Sequence, residues 1–445
     1  MHRLVRALWG DLKGNELKKF AFLALGYFFL IGSWWPLKTL KDSVFINIVG
    51  PLHLPEAKLA SLILFFPLVL LYSKLVDYVS KEKLIYWFIG IYGTLGLILV
   101  YFLNHETIGL ANATINPHRI IGWVFYLFSE SYITLMLSLY QSFINDVTTP
   151  ESAQKGYGLI IFGAQLGGFL FTLLGNYLSY DASLYAQRAP IIALISVSMF
   201  FVIAFIVYML EHVVGKDQMQ GYEESVKKTT SPDKTTSKVG FLDGLKLLLT
   251  HYYVAGIFAL IFFQELISTL MSFQMSLLVK STYVDPGLVN KFLFDFALAV
   301  QAIACLFGLI GTSFFQRKFG IRFCLIAYPI LLGISISSYM LRPSLETIFY
   351  VMLIAKALNY AFNQPAKEVL YIPTSRSIKY KSKAWIDMFG LRFAKATGSV
   401  ANRIVGPIVW LTGGFAICLI FIWTICGSLL GKTFKKAVSE NRIIE

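Results

Sequence analysis

A twelve-helix membrane fold arranged as two six-helix bundles is the architecture this sequence predicts, on three observations. Hydrophobic residues make up 56% of the 445 positions and charged ones only 14%, against the roughly 25% charged share of a soluble domain. The apolar residues come in long runs, giving a mean hydropathy of +0.65. A single long polar stretch falls halfway along the chain. A hydrocarbon core about 30 Å thick needs about 20 apolar residues per helix, and an unpaired backbone cannot cross it, so each long run is expected to be a helix. Period-2 alternation is absent from these runs, which excludes a membrane β-barrel.

In order, the spans fall near 20–48, 56–78, 83–104, 117–145, 156–180 and 187–212, then near 246–280, 288–316, 320–341, 345–372, 385–410 and 412–432. The runs 20–48, 246–280 and 345–372 exceed the bilayer thickness and are expected to tilt, break or extend beyond it. In the fifth span, Gly163-x-x-x-Gly167-Gly168 fits a close helix crossing, because small residues let two backbones approach. The polar stretch between spans six and seven includes Lys227-Lys228-Thr229-Thr230-Ser231-Pro232-Asp233-Lys234 and reads as a solvated tether. The chain then divides into an amino-terminal bundle (1–212), a cytoplasmic linker (213–243) and a carboxy-terminal bundle with a cytoplasmic tail (244–445). This is the major-facilitator-like layout of carriers built from two parallel six-helix repeats.

A net charge of +14 could point to nucleic acid, but its distribution argues otherwise. Basic residues concentrate in the amino terminus (Arg3, Arg6, Lys13, Lys18, Lys19) and in alternate loops (Lys74, Lys81, Lys83; Arg317, Lys318, Arg322; Arg376, Lys379, Lys381, Lys383). The tail is basic too, with Lys432, Lys435, Lys436 and Arg442, whereas the loops at 104–116 and 181–187 are nearly uncharged. By the positive-inside rule both termini are cytoplasmic, which requires an even number of spans. No cleavable signal is expected, and the four cysteines show no metal or disulfide spacing. No nucleophile motif and no phosphate-cradling Gly-x-x-x-x-Gly-Lys-Ser/Thr loop occurs, so neither catalysis nor nucleotide hydrolysis is expected, and no cofactor is implied.

Four ionisable residues lie inside the spans: Lys41 on the first, Glu130 on the fourth, Glu265 on the seventh and Lys367 on the tenth. A charge at the bilayer centre costs about 3 kcal/mol on insertion scales unless it faces a partner or water, so such residues mark transport pathways. In a two-repeat carrier these four helices line the central cavity. The order is lysine then glutamate in the first half and glutamate then lysine in the second, so lysine–glutamate pairs can compensate one another in the empty state. An anionic substrate then competes for the lysines. Lys356 is either a third cavity cation or a partner for Glu130 or Glu265, and Asp295 is an ion-pair member or a proton site.

The stretches around these residues carry a resemblance. Leu37-Lys38-Thr39-Leu40-Lys41-Asp42-Ser43, Phe125 to Glu130, and Gln364-Pro365-Ala366-Lys367-Glu368-Val369-Leu370-Tyr371-Ile372-Pro373 together resemble the nucleotide transporters of intracellular bacteria and plastids, the ADP/ATP translocases. Lys383-Ala384-Trp385-Ile386-Asp387 and Lys395-Ala396-Thr397-Gly398 extend the match. The resemblance implies transport of phosphorylated nucleotides, with Lys41, Glu130, Glu265 and Lys367 at positions of intramembrane charges that the family needs. It also implies a multi-pass protein of the bacterial inner membrane. Where the family commonly has further lysines after the span-7 glutamate, this chain has Thr269, Met271 and Phe273, and tyrosine (Tyr132) replaces the tryptophan after the span-4 glutamate.

The expected substrate site therefore contains Lys41 and Lys367 as phosphate ligands and Glu130 and Glu265 as their counter-charges. Lys38, Arg392 and Lys395 act as supports, the last two sharing one helix face at i, i+3. A base can stack on an aromatic ring, with Tyr132, Tyr126, Trp35 and Tyr360 as candidates. The partners are a nucleotide and the lipid bilayer, not nucleic acid, and the carrier is expected to be a monomer. ATP/ADP exchange by alternating access leads. Proton-coupled symport of a nucleotide or NAD is the alternative, and a non-transporting membrane receptor ranks below both.

Overall fold

The structure is a computed structural model and describes residues 14–148, 150–214, 250–310, 319–371, 373–374, 386 and 390–440. Most of the linker, the 10–11 loop and the Lys383-Ala384-Trp385-Ile386-Asp387 stretch except Ile386 lie outside the described residues. Among these residues there are helices and no β-strand. They are α1 (Gly14–Ile48), α2 (Leu54–Tyr78), α3 (Lys81–Leu103), α4 (Ile120–Asp146), α5 (Pro150–Leu178) and α6 (Tyr185–Val214), then α7 (Tyr252–Thr282), α8 (Pro286–Ile310) and α9 (Ile321–Leu341). After these come α10a (Leu345–Leu358), a π turn (Asn359–Asn363), α10b (Gln364–Leu370), α11 (Leu391–Val405) and α12 (Val409–Ser439). Ten described helices are long and apolar enough to cross a membrane, making this an integral multi-pass protein. The other two expected spans take different forms. The tenth is interrupted, and the eleventh has a 15-residue helix carrying Arg392, Lys395, Asn402 and Arg403.

The tenth span is interrupted beside Pro365, which has no N–H to return to the carbonyl four residues earlier. The chain makes a π turn just before it and restarts with Pro365 in the first turn of α10b, where a missing donor costs little. α1 also carries an internal proline, Pro36, yet remains one helix of 35 residues.

The chain falls into two compact units, one comprising 1–50, 63–235 and 283–301, the other 51–62, 236–282 and 302–445. In the first, α1 packs on α4, α5 and α6, and α3 packs on α4 and α6. In the second, α7 packs on α10a, α11 and α12, and α9 packs on α10a and α12. Advancing every helix number by six turns the first set of pairings into the second. One contact type recurs as well: a Cβ built on Gly163 of α5 would meet the Ala24 carbonyl of α1 at 2.6 Å, and one on Gly398 of α11 would meet the Leu266 carbonyl of α7 at 3.1 Å. Gly167 approaches the Phe28 carbonyl in the same way, one turn along each helix from the Gly163–Ala24 contact.

Gly163→Val should therefore force α1 and α5 apart. We expect it to destabilise the protein by about 1–3 kcal/mol, the usual cost of overpacking, read as a lower melting temperature in detergent. Gly414→Val is the control, since no atom lies within 4 Å of a Cβ built there.

Candidate functional site

In the first unit the site centres on Lys41, whose residue is 5% exposed. Its Nζ lies 2.5 Å from Asp42 Oδ1 and 3.2 Å from Glu130 Oε1. It also sits 4.2 Å from the centroid of the Tyr126 ring. Tyr126 and Glu130 are four residues apart on α4, so one face of that helix offers the ammonium both a π surface and a carboxylate. Buried charges are tolerated when paired in this way. Asp42 is the more open partner, its side chain 38% exposed against 23% for Glu130.

Lys38 lies one turn before Lys41 on α1, with Nζ 4.4 Å from the ring centroid of Trp35 and 5.0 Å from that of Trp34. This indole bracket holds the cation over two π surfaces. Tyr132 is completely buried. Its ring stacks on Phe200 at 3.9 Å between centroids, and its hydroxyl is 3.1 Å from Ser33 Oγ. In this conformation it contributes to the core of the first unit and presents no surface to a ligand.

In the second unit, Lys367 Nζ donates to Gln264 Oε1 at 2.8 Å. Gln264 precedes Glu265 on α7, and Glu265 interacts electrostatically with Lys356 on α10a. Lys356 of α10a thus lies within electrostatic range of Glu265 on α7, while in the first unit Lys41 of α1 pairs with Glu130 of α4. Lys395, on α11, is within electrostatic range of Lys356 and exposed to solvent. Arg392 is half-buried one turn earlier on the same helix. A small cavity in this unit is lined by Gln264, Ser268, Tyr328, Lys356 and Asn359, with apolar side chains between them. Thr269, Met271 and Phe273 are all buried in α7. Asp295 accepts a hydrogen bond from Asn176 Nδ2 at 2.6 Å within the first unit.

Sequence reasoning missed two members of this arrangement. Gln264 was overlooked because it carries no charge, although an amide next to a membrane-embedded glutamate is itself a signal. Asn363, which also donates to Gln264, lies four residues before Lys367 and so on the same helical side. Among the described residues no group of three or more His, Cys, Asp or Glu side chains could hold a metal ion.

Along most of its length the chain is similar to known transport proteins. The family model of the TLC ATP/ADP transporters matches residues 1–434. ADP,ATP carrier protein 4 of Rickettsia bellii is 23% identical, the alignment covering 97% of this chain and 93% of that protein. ADP,ATP carrier protein 1 of Rickettsia prowazekii is 22% identical over 99% and 98%. The plastidic ATP/ADP-transporter of Solanum tuberosum is 23% identical over 95% and 74%. Among solved structures, a bacterial homologue of the iron transporter ferroportin superposes with a TM-score of 0.64 at 13% identity, covering 94% of this chain and 98% of that one. The nucleoside transporter NupG gives 0.58 at 16% identity, covering 93% and 99%. These structural likenesses show a transporter fold. The match over nearly the whole length shows that the chain belongs to the TLC ATP/ADP transporter family, a family of membrane transporters and not of enzymes.

Proposed function

We propose that this protein exchanges ATP for ADP across a bacterial inner membrane by alternating access. In this reading two six-helix halves, 1–212 and 244–445, are joined by a cytoplasmic linker at 213–243, with twelve spans, both termini cytoplasmic and a monomeric carrier. The observation that carries it is the pair of intramembrane lysines, each held by an acceptor that a phosphate oxygen can replace: Lys41 by Asp42 and Glu130, Lys367 by Gln264. The family match supports the same substrate class.

Lys41 and Lys367 bind the phosphates, with Lys38, Arg392 and Lys395 adding positive potential. Lysine suits a ligand that must leave again, because it binds phosphate as a flexible point charge and not as a rigid two-pronged clamp. When the nucleotide departs, Glu130 and Asp42 recapture Lys41 and Gln264 recaptures Lys367. An empty site held in this way resists reorientation, which makes the cycle an exchange. ATP and ADP differ by about one charge at neutral pH, so exchange moves net charge and responds to membrane potential by about 2.3 kcal/mol per 100 mV.

The replacement of the family's lysines by Thr269, Met271 and Phe273 favours a second reading, proton-coupled symport of a less charged nucleotide or NAD. A thermal-shift panel on the purified protein separates the two. The exchange reading expects stabilisation by ATP and ADP well above that by AMP or NAD, growing with phosphate number. Stabilisation by NAD or AMP alone supports the second reading, and indifference to every nucleotide removes both.

A further inference from the structure

Gln264 is 6% exposed, and its Oε1 accepts two hydrogen bonds, one from Lys367 Nζ at 2.8 Å and one from Asn363 Nδ2. An ammonium group can only donate, so the amide of Gln264 has to turn its oxygen toward Lys367. Asn363 must then present its NH2 group to that oxygen, and the same NH2 also donates to Asn359 Oδ1 at 3.0 Å. One positive charge thus sets the orientation of three amide side chains in series. Asn359 and Asn363 are the first and last residues of the π turn, and Lys367 lies on α10b beyond it. Gln264 therefore ties α7 to the turn and to the cation that follows it.

We propose that Gln264 is the positioning residue of Lys367, a neutral acceptor that occupies the place of a phosphate oxygen until substrate arrives. The assignment rests on the nucleotide reading above. An amide oxygen accepts from an ammonium much as a phosphate oxygen does, but without a charge of its own it holds the lysine more weakly than a carboxylate would. An incoming anion that takes Lys367 from Gln264 therefore displaces a neutral acceptor. The bond from Asn363 remains when the lysine turns to its ligand, so the amide stays oriented and receives the lysine when the ligand leaves.

The test is exchange kinetics in liposomes carrying the purified full-length protein, comparing wild type with Gln264→Glu and Gln264→Met. Gln264→Glu turns the neutral acceptor into a competing anion, and KM for ATP should rise by about 10-fold while Vmax stays within about twofold. Gln264→Met removes the acceptor at similar volume and should raise KM by about fivefold, again with Vmax retained. An unchanged KM in either variant that purifies as a monodisperse, folded protein overturns the proposal. A fall in Vmax at constant KM also overturns it, since that pattern belongs to a packing residue. Absence of exchange by wild type overturns the nucleotide reading and this assignment with it.

Discussion

Lys367→Ala is expected to lower nucleotide exchange by about 100-fold and to abolish stabilisation of the purified protein by ATP. A hydrogen bond between charged partners contributes up to about 3 kcal/mol, and each 1.4 kcal/mol is tenfold in affinity. The substitution removes the only residue of α10b that can bring a positive charge to the substrate. Folding should be less affected than transport, because the partner left behind, Gln264, is neutral and keeps Asn363 as a donor. Liposome uptake measured beside the melting temperature of the empty protein checks both parts. Normal uptake by the variant would remove Lys367 from the site.

Lys41→Met should show the opposite balance, a large loss of stability along with the loss of transport. Lys41 holds two carboxylates, those of Asp42 and Glu130. Without it both carboxylates lose their bond to its ammonium, and removing one partner of a buried pair typically destabilises by about 3–5 kcal/mol. Because the side chain of Asp42 is 38% exposed and that of Glu130 23%, water screens part of this, and the lower end of about 3 kcal/mol is expected. Adding Glu130→Gln removes half of the orphaned charge, so the double variant should recover more than half of the lost stability while remaining inactive. The measurement is a double-mutant cycle on thermal unfolding, paired with uptake. Additive losses would show that Lys41 and Glu130 do not interact.

Much of the helical framework was legible because hydropathy reports burial in lipid directly, and Gly163 and Gly167 signalled a close crossing, whose partner the structure shows to be α1. The tenth and eleventh spans were harder. Pro365 is visible in the sequence, but whether a helix answers a proline with a kink, a break or a π turn depends on tertiary packing. α11 carries Arg392, Lys395, Asn402 and Arg403 within its described length, so its apolar signal is weaker than that of the other spans.

The site divides the same way. Lys41 and Glu130 were recognisable as partners because opposite charges in a membrane seek each other. Asp42, the next residue in the chain, is the nearer of the two carboxylates bonded to Lys41. In the second unit the same logic pointed to lysine and glutamate on α7 and α10, and it left Lys356 undecided. The side chains bring Lys356 within electrostatic range of Glu265 and give Lys367 an amide acceptor. A neutral acceptor leaves no trace in a charge pattern, which is why Gln264 emerged only from geometry. Tyr132 shows the reverse problem, since an aromatic ring near a membrane charge suits stacking on a base and stacking in a core equally well.

The most direct test of the central claim is uptake of labelled ATP into liposomes that hold the purified protein and either unlabelled ADP or no nucleotide. Exchange predicts rapid uptake only into the ADP-loaded liposomes, unaffected by a pH gradient and lost in Lys367→Ala. Uptake into empty liposomes that follows a pH gradient, or equal uptake with and without internal ADP, would contradict it.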